Sequence, residues 1–300
     1  MNKDFLSIAD LNSNEIQHLI KFALEMKRKE SPFPLRGKIL GMIFEKPSLR
    51  TRVSFEVGME QLGGHAIYIS KDEIGLGKRE PISDAARVLS RYLNLIMART
   101  YSHSSVEALA QYATVPVING LSDLEHPCQA VADMLTIYEK KGKLEGTTVA
   151  YLGDGNNVAA SLYLACALSG AEFRIACPQG YEMPESIMQT GKEIGSPQIM
   201  VTQNPEEAVE NADVLYTDVW TSMGQEAEKE QRLNDFKGFQ ITADLLAKVK
   251  ANAILMHPMP VHYGEELSQE LAKSPQSVLI DQAENRLHAQ KAIMVELMKA

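Results

Sequence analysis

Short apolar runs recur along the chain, separated by longer segments in which apolar residues return every three to four positions. Residues 37–44 (GKILGMIF), 65–70, 93–99 and 115–119 are of strand length and rich in β-formers. The series resumes with 147–154, 173–177, 198–202, 213–217 and 253–256, again divided by helical spacing. Alternation of this kind predicts parallel sheets with helices on both faces. Ahead of the first run, Asn12 or Ser13 is placed to cap a helix whose Ile16, Leu19, Ile20 and Leu24 share one face. Between the two series lies a charged, glycine-punctuated stretch, 139–146. The chain therefore reads as α/β, with two doubly wound parallel-sheet domains. The first covers 1–142, the second 143–286, and a last helix, 287–300, packs back on the first.

Composition narrows the function. Three hundred residues, 45% hydrophobic and 23% charged, suffice for two cores. A net charge of -9 argues against nucleic acid and anionic membranes as partners, so any anion site must be a local concentration of cations. Cys128, Cys166 and Cys177 lack metal-ligand spacing and are odd in number, which predicts free thiols in a reducing compartment. With no signal core, no transit character and no apolar run long enough to span a bilayer, the expectation is a soluble, cytoplasmic protein.

Local concentrations of chemistry stand where predicted strands meet predicted helices. Ser48, Arg50, Thr51 and Arg52 crowd five positions at a helix start, where free backbone N–H groups and the helix dipole already favour an anion. A capped helix with solvated arginines is the alternative; the crowding favours a phosphate cradle. Arg99 ends its strand, where ligands bind in open α/β sheets. His126 and Gln129 are three apart in the first turn of the next helix and can converge on one ligand. Residues 74–81 (IGLGKREP) carry two glycines with Lys78 and Arg79, and read equally as a functional mobile loop or a solvated basic turn. Around Gly153-Asp154-Gly155 the third glycine of the dinucleotide motif is missing and an aspartate occupies the phosphate turn; Asn156 and Asn157 suit an amino acid's head group better. Asp218 at a strand end can pair with an ammonium, with Ser222 and the backbone near Gly224 on the same head group. Met256-His257-Pro258-Met259-Pro260 follows the last strand, and 281–286 (DQAENR) precedes the final helix.

Residues 48–52 closely resemble the S-T-R-T-R loop of the aspartate and ornithine carbamoyltransferases, with Leu49 where that family usually has Thr. His126-Pro127-Cys128-Gln129, Asp154-Gly155-Asn156-Asn157, 218–224 and 283–286 match later landmarks in order, and Ser222-Met223-Gly224 looks like the ornithine branch. The resemblance implies carbamoyl transfer from carbamoyl phosphate to the δ-amine of ornithine, in a cleft between the two domains. It implies that Ser48, Leu49, Arg50, Thr51, Arg99, His126, Gln129, Pro258, Met259 and Arg286 surround carbamoyl phosphate, with Arg50, Thr51, Arg99, His126, Gln129 and Arg286 catalytic. Asn157, Asp218, Ser222 and Met223 would hold ornithine. No metal and no organic cofactor is implied. A homo-oligomer is, a trimer or a multiple of trimers, in which Lys78 or Arg79 reaches a neighbouring subunit's site. A second position departs: Pro258 stands where the ornithine branch carries a cysteine that contacts the attacking amine. Aspartate fits Pro258 but sits poorly with the Ser-Met-Gly segment, putrescine has no α-carboxylate to bind, and an N-acylated ornithine stays open. The missing third glycine weighs against a nucleotide-binding protein. The intact Ser48, Arg50, Thr51, Arg99, His126 and Gln129 weigh against a silent paralogue.

Overall fold

The computed structural model describes residues 1, 3–28, 34–222 and 224–299. By their internal contacts they form two units, Met1–Leu135 with Glu284–Ala300, and Thr136–Ala283. The chain leaves the first unit within helix Pro127–Lys141 and returns within helix Leu279–Lys299.

In the first unit β1 (Ile39–Phe44), β2 (His65–Ser70), β3 (Leu95–Arg99) and β4 (Val117–Leu121) form a parallel sheet in the order β2-β1-β3-β4. The central strand β3 is buried at every residue, whereas edge strand β2 is partly exposed throughout. That is why the central strands read as unbroken apolar runs. In the second unit β5 (Thr148–Leu152), β6 (Glu172–Ala176), β7 (Gln198–Thr202), β8 (Val214–Thr217) and β9 (Ile254–Met256) pair in parallel as β7-β6-β5-β8-β9. Both expected parallel α/β sheets are therefore present, with strand ends one or two residues from the expected ones where they differ.

Four local differences matter for the site. Helix Leu49–Gln61 starts directly after Ser48, so Leu49, Arg50, Thr51 and Arg52 form its first turn instead of a preceding loop. Helix Leu279–Lys299 starts eight residues before the expected 287, which puts Arg286 inside it. The loop 74–81 is a closed turn. Its helix Lys71–Ile74 ends on Gly75 at φ 50, a bridge joins Leu76 to Glu80, and Ile74 and Leu76 lie in the unit's core. The loop after β8 is not a free surface loop: Trp220, the chain's one tryptophan, is buried, stacks on Phe236 at 5.5 Å and anchors the loop to the second core.

Helix Asn157–Ser169 is apolar on all sides and buried from Val158 to Ser169. Its cap explains the glycine before it. Gly155 N–H donates to the Tyr181 carbonyl at 2.8 Å, and a Cβ there would meet the Met183 nitrogen at 2.3 Å. Only glycine allows these two backbones to approach so closely.

Candidate active site

In the first unit, Ser48 caps helix Leu49–Gln61: its Oγ accepts from Thr51 N–H at 3.3 Å and donates to Thr51 Oγ1 at 3.1 Å. Thr51 is fully buried, and its Oγ1 also accepts from Arg286 Nη2 at 2.7 Å. Helix Leu279–Lys299 thus delivers a guanidinium to the first turn of a helix 235 residues earlier in the chain. Arg99, the last residue of β3, is 5% exposed, and among the described residues no carboxylate pairs with it. Burial, then the charges of Arg286 and Arg50, lower its pKa to about 9, and its Nε is buried without a hydrogen-bond partner. Burial lowers the pKa of Arg50 as well.

His126 sits immediately before helix Pro127–Lys141, buried. Desolvation, then Arg286 and Arg99, hold it well below the usual imidazole value, so it is neutral at pH 7. Gln129 is 1% exposed; its Nε2 donates to Asp133 Oδ1 at 2.8 Å, which leaves its Oε1 as a buried acceptor with no partner. Three guanidiniums, an uncharged imidazole and an open amide oxygen are what an oxyanion bearing a carboxamide would match. Cys128 takes no part as a nucleophile, because burial pushes its thiol up to about 12, and all three cysteines are free.

Arg52, expected in the cradle, is turned elsewhere. Its Nε donates to Glu56 Oε1 at 2.9 Å and its guanidinium lies 4.3 Å from the Tyr68 ring centre. Leu49 is 74% exposed. Lys78 and Arg79 are exposed, and Arg79 donates to the Glu73 carbonyl within its own turn.

In the second unit, Asn156 caps helix Asn157–Ser169 through Oδ1, which accepts from Val158 and Ala159 N–H at 2.9 and 3.1 Å. Its Nδ2 donates to Asp218 Oδ2 at 3.0 Å, while Asp218 Oδ1 accepts from Val219 N–H at 2.8 Å. Burial raises the Asp218 pKa, opposed by His257 and by these hydrogen bonds. A buried carboxylate held by two neutral donors, at a strand end, is matched to a cationic ligand. Asn157 begins the helix that Asn156 caps. Ser222 N–H donates to Gln225 Oε1 at 2.9 Å, and Gly224 takes φ 98; Met223 lies outside the described residues. Beyond β9, His257 Nδ1 accepts from Met259 N–H at 2.9 Å, so its Nε2 carries the proton and donates to Glu266 Oε1 at 3.0 Å, both side chains fully buried. Pro258 and Met259 belong to this second unit, with Met259 at φ 57.

The carbamoyl-P binding domain of the aspartate/ornithine carbamoyltransferases matches residues 3–139, and their Asp/Orn binding domain matches 145–297. The chain belongs to the aspartate/ornithine carbamoyltransferase family. It is 52% identical over 303 residues to the ornithine carbamoyltransferase of Anoxybacillus flavithermus, covering 99% of this chain and 96% of that one. Against the ornithine carbamoyltransferase of Archaeoglobus fulgidus the figure is 50% over 300 residues, covering 99% and 97%. The solved ornithine carbamoyltransferase of Pyrococcus furiosus superposes with a TM-score of 0.95 at 50% identity, covering 99% of this chain and 97% of that one.

In this member of the carbamoyltransferase family, several groups that hold the site side chains escaped the sequence reading. Arg232 Nη1 donates to Asp154 Oδ2 at 2.7 Å and to the Trp220 carbonyl at 2.9 Å, tying the turn after β5 to the loop after β8. The aspartate that looked hostile to a phosphate is a structural ion-pair partner. Glu266, which fixes the His257 tautomer, gave no signal either. Asp133 did: it lies one helical turn beyond Gln129.

Proposed function

We propose that this chain transfers the carbamoyl group of carbamoyl phosphate to the δ-amine of L-ornithine, giving L-citrulline and phosphate, a step of arginine metabolism. The carrying observation is the cluster of buried Arg99 and Arg286 with half-buried Arg50, beside a neutral His126. Such a cluster is unfavourable until a dianion enters it. Ser48, Arg50, Thr51 and Arg99 hold the phosphate, with the backbone of Leu49 at the same helix start. Arg50, Thr51, Arg99, His126 and Arg286 hydrogen-bond the carbonyl oxygen as negative charge develops on it. His126 does this as a neutral donor. Gln129 Oε1 accepts from the carbamoyl NH2, joined by the backbone carbonyls around Met259 and Pro260.

Asp218 pairs with ornithine's α-ammonium, while Asn157, Ser222 and Met223 hold the carboxylate end, so that the neutral δ-amine reaches the carbonyl carbon. Attack forms the C–N bond, and collapse breaks the C–O bond to phosphate. The proton lost by the amine ends on the departing phosphate, and Arg50, Arg99 and Thr51 retain the same oxyanion throughout. Carbamoyl phosphate is then the ligand of 1–142 with 287–300, and ornithine that of 143–286. Pro258 offers no thiol to the amine, but a sulfur hydrogen bond is weak, on the order of 1 kcal/mol, against several for the Asp218 ion pair.

The test is a carbamoyl-phosphate-dependent ureido-product assay across ornithine, aspartate, putrescine and acetylornithine. Ornithine is expected to be fastest. Faster carbamoylation of aspartate at equal subsaturating concentration would show Pro258 to be the better guide.

The protein is further read as a cytoplasmic homotrimer or multiple of trimers. Support comes from Leu49, Val53 and Val57, exposed at helical spacing along helix Leu49–Gln61, and from exposed Ile67 on edge strand β2. A second copy would cover this stripe. The same reading sends Lys78 and Arg79 into a neighbouring subunit's site. Mixing a Lys78→Ala/Arg79→Ala protein with an Arg50→Ala protein, with subunit exchange confirmed by mass, should then restore activity well above the average of the two parents. Activity that stays at that average sinks the shared site.

A further inference from the structure

We propose that the turn 262–266 is a binding site for a divalent transition-metal cation of the zinc or cobalt class, ligated by His262 Nδ1, Glu265 Oε2 and Glu266 Oε2. One ligand atom from each of the three residues lies within 4.8 Å of the other two, and His262 Nδ1, Glu265 Oε2 and Glu266 Oε2 are each buried with no hydrogen-bond partner. The decisive group is Glu266. Its side chain is fully buried, its Oε1 accepts from His257 Nε2 at 3.0 Å and His262 N–H at 2.6 Å, and its Oε2 is buried with no hydrogen-bond partner. A buried carboxylate oxygen without a donor is costly, and a cation is the ligand that removes the cost.

The other two ligands are built in the same manner. Glu265 gives Oε1 to Lys229 Nζ at 2.9 Å and keeps Oε2 for the cluster, 3.5 Å from His262 Nδ1. The backbone is pinned from outside: Glu265 N–H donates to the His262 carbonyl, Gly264 turns the chain at φ 93, and Gln240 Nε2 donates to the carbonyls of Gly264 and Glu265. Ligand atoms on a tetrahedral cation with bonds of ~2.0–2.2 Å sit about 3.4 Å apart. Closing the set asks only for rotation of His262 and Glu265, whose side chains are 39% and 21% exposed. One imidazole and two carboxylates match zinc or cobalt better than a soft, thiolate-seeking ion. Occupancy would fix Glu266 against His257 and, through the Met259 N–H bond, the backbone of His257-Pro258-Met259. The cation is a clamp on that segment and takes no part in carbamoyl transfer.

Calorimetric titration of the metal-stripped, full-length protein with Zn2+, repeated with Co2+ by visible absorption, tests this independently of activity. One cation per chain is expected, with affinity lowered about tenfold or more in both His262→Ala and Glu265→Gln. Both changes fall on partly exposed side chains, and circular dichroism reports whether each variant is folded; Glu265→Gln keeps the shape of its side chain. Unchanged affinity in the folded variants would place the cation elsewhere and overturn the proposal. So would no binding by the native protein, which would leave only an ion pair between His262 and Glu265.

Discussion

Arg99→Met is expected to lower kcat/KM for carbamoyl phosphate by about two to four orders of magnitude, and at the same time to raise the melting temperature of the unliganded protein. The loss follows from removing a charge-assisted contact to both the phosphate and the developing oxyanion inside a water-poor site. The gain follows from the environment of the guanidinium: 5% exposed, beside Arg50 and Arg286, with its Nε unpartnered. An apolar side chain of similar length avoids that desolvation and repulsion, and replacing buried charge in this way is worth about 1–4 kcal/mol. Calorimetric melting with and without ligand checks both halves. A destabilised variant with native kinetics would mean that Arg99 is structural. The native protein carries the matching pH dependence. Arg99 is charged in both folded and unfolded states below about 9, so its destabilising effect is fully present there. As pH rises above that value the folded state sheds the proton first, so this penalty on stability is relieved while affinity for carbamoyl phosphate falls.

Asp218→Asn is expected to cut kcat/KM for ornithine by about two to three orders of magnitude and to leave carbamoyl phosphate binding within about twofold of native. Truncating one partner of a buried charge pair costs about 3–5 kcal/mol. Among the described residues, Asn156 Nδ2 and Val219 N–H donate to the two Asp218 carboxylate oxygens. An amide can keep one of these bonds but brings no charge to an ammonium. Because the second unit alone supplies this group, the two substrates should separate cleanly in calorimetric titrations. Equal weakening of both would assign Asp218 to the fold.

The strands were legible because central parallel strands are buried on both faces and read as mainly apolar runs, as β3 and β5 do apart from Arg99 and Thr148 at their ends. Helix Leu279–Lys299 was read two turns short for the opposite reason. Its early buried positions are polar: Gln282 donates to Tyr216 Oη, Asn285 accepts from Lys27 and Arg286 donates to Thr51, which hides the apolar period. Crowding of cations at one helix start singled out Arg50 and Thr51, which the fold brings together with Arg99 and Arg286, but it overcounted the set. Successive helical residues project about 100° apart, so Arg50, Thr51 and Arg52 in one first turn cannot all face one ligand. Arg52 is the one directed onto Tyr68 and Glu56. Partners far apart in sequence, such as Asp154 with Arg232, leave no local pattern at all.

The last helix carries a consequence for the order in which the protein is made. Met294, Leu287 and Lys291 pack within about van der Waals reach of Gly58's open side, Lys291 Nζ donates to Gln61, and Arg286 completes the hydrogen bonds of Thr51. A nascent chain with the whole of the first sheet already outside the ribosome still lacks these groups. A chain truncated before Arg286 would carry its defect not only at the truncated end but near residue 51, far earlier in the message. The surroundings of Thr51 are in that sense the last part of the first unit to be finished.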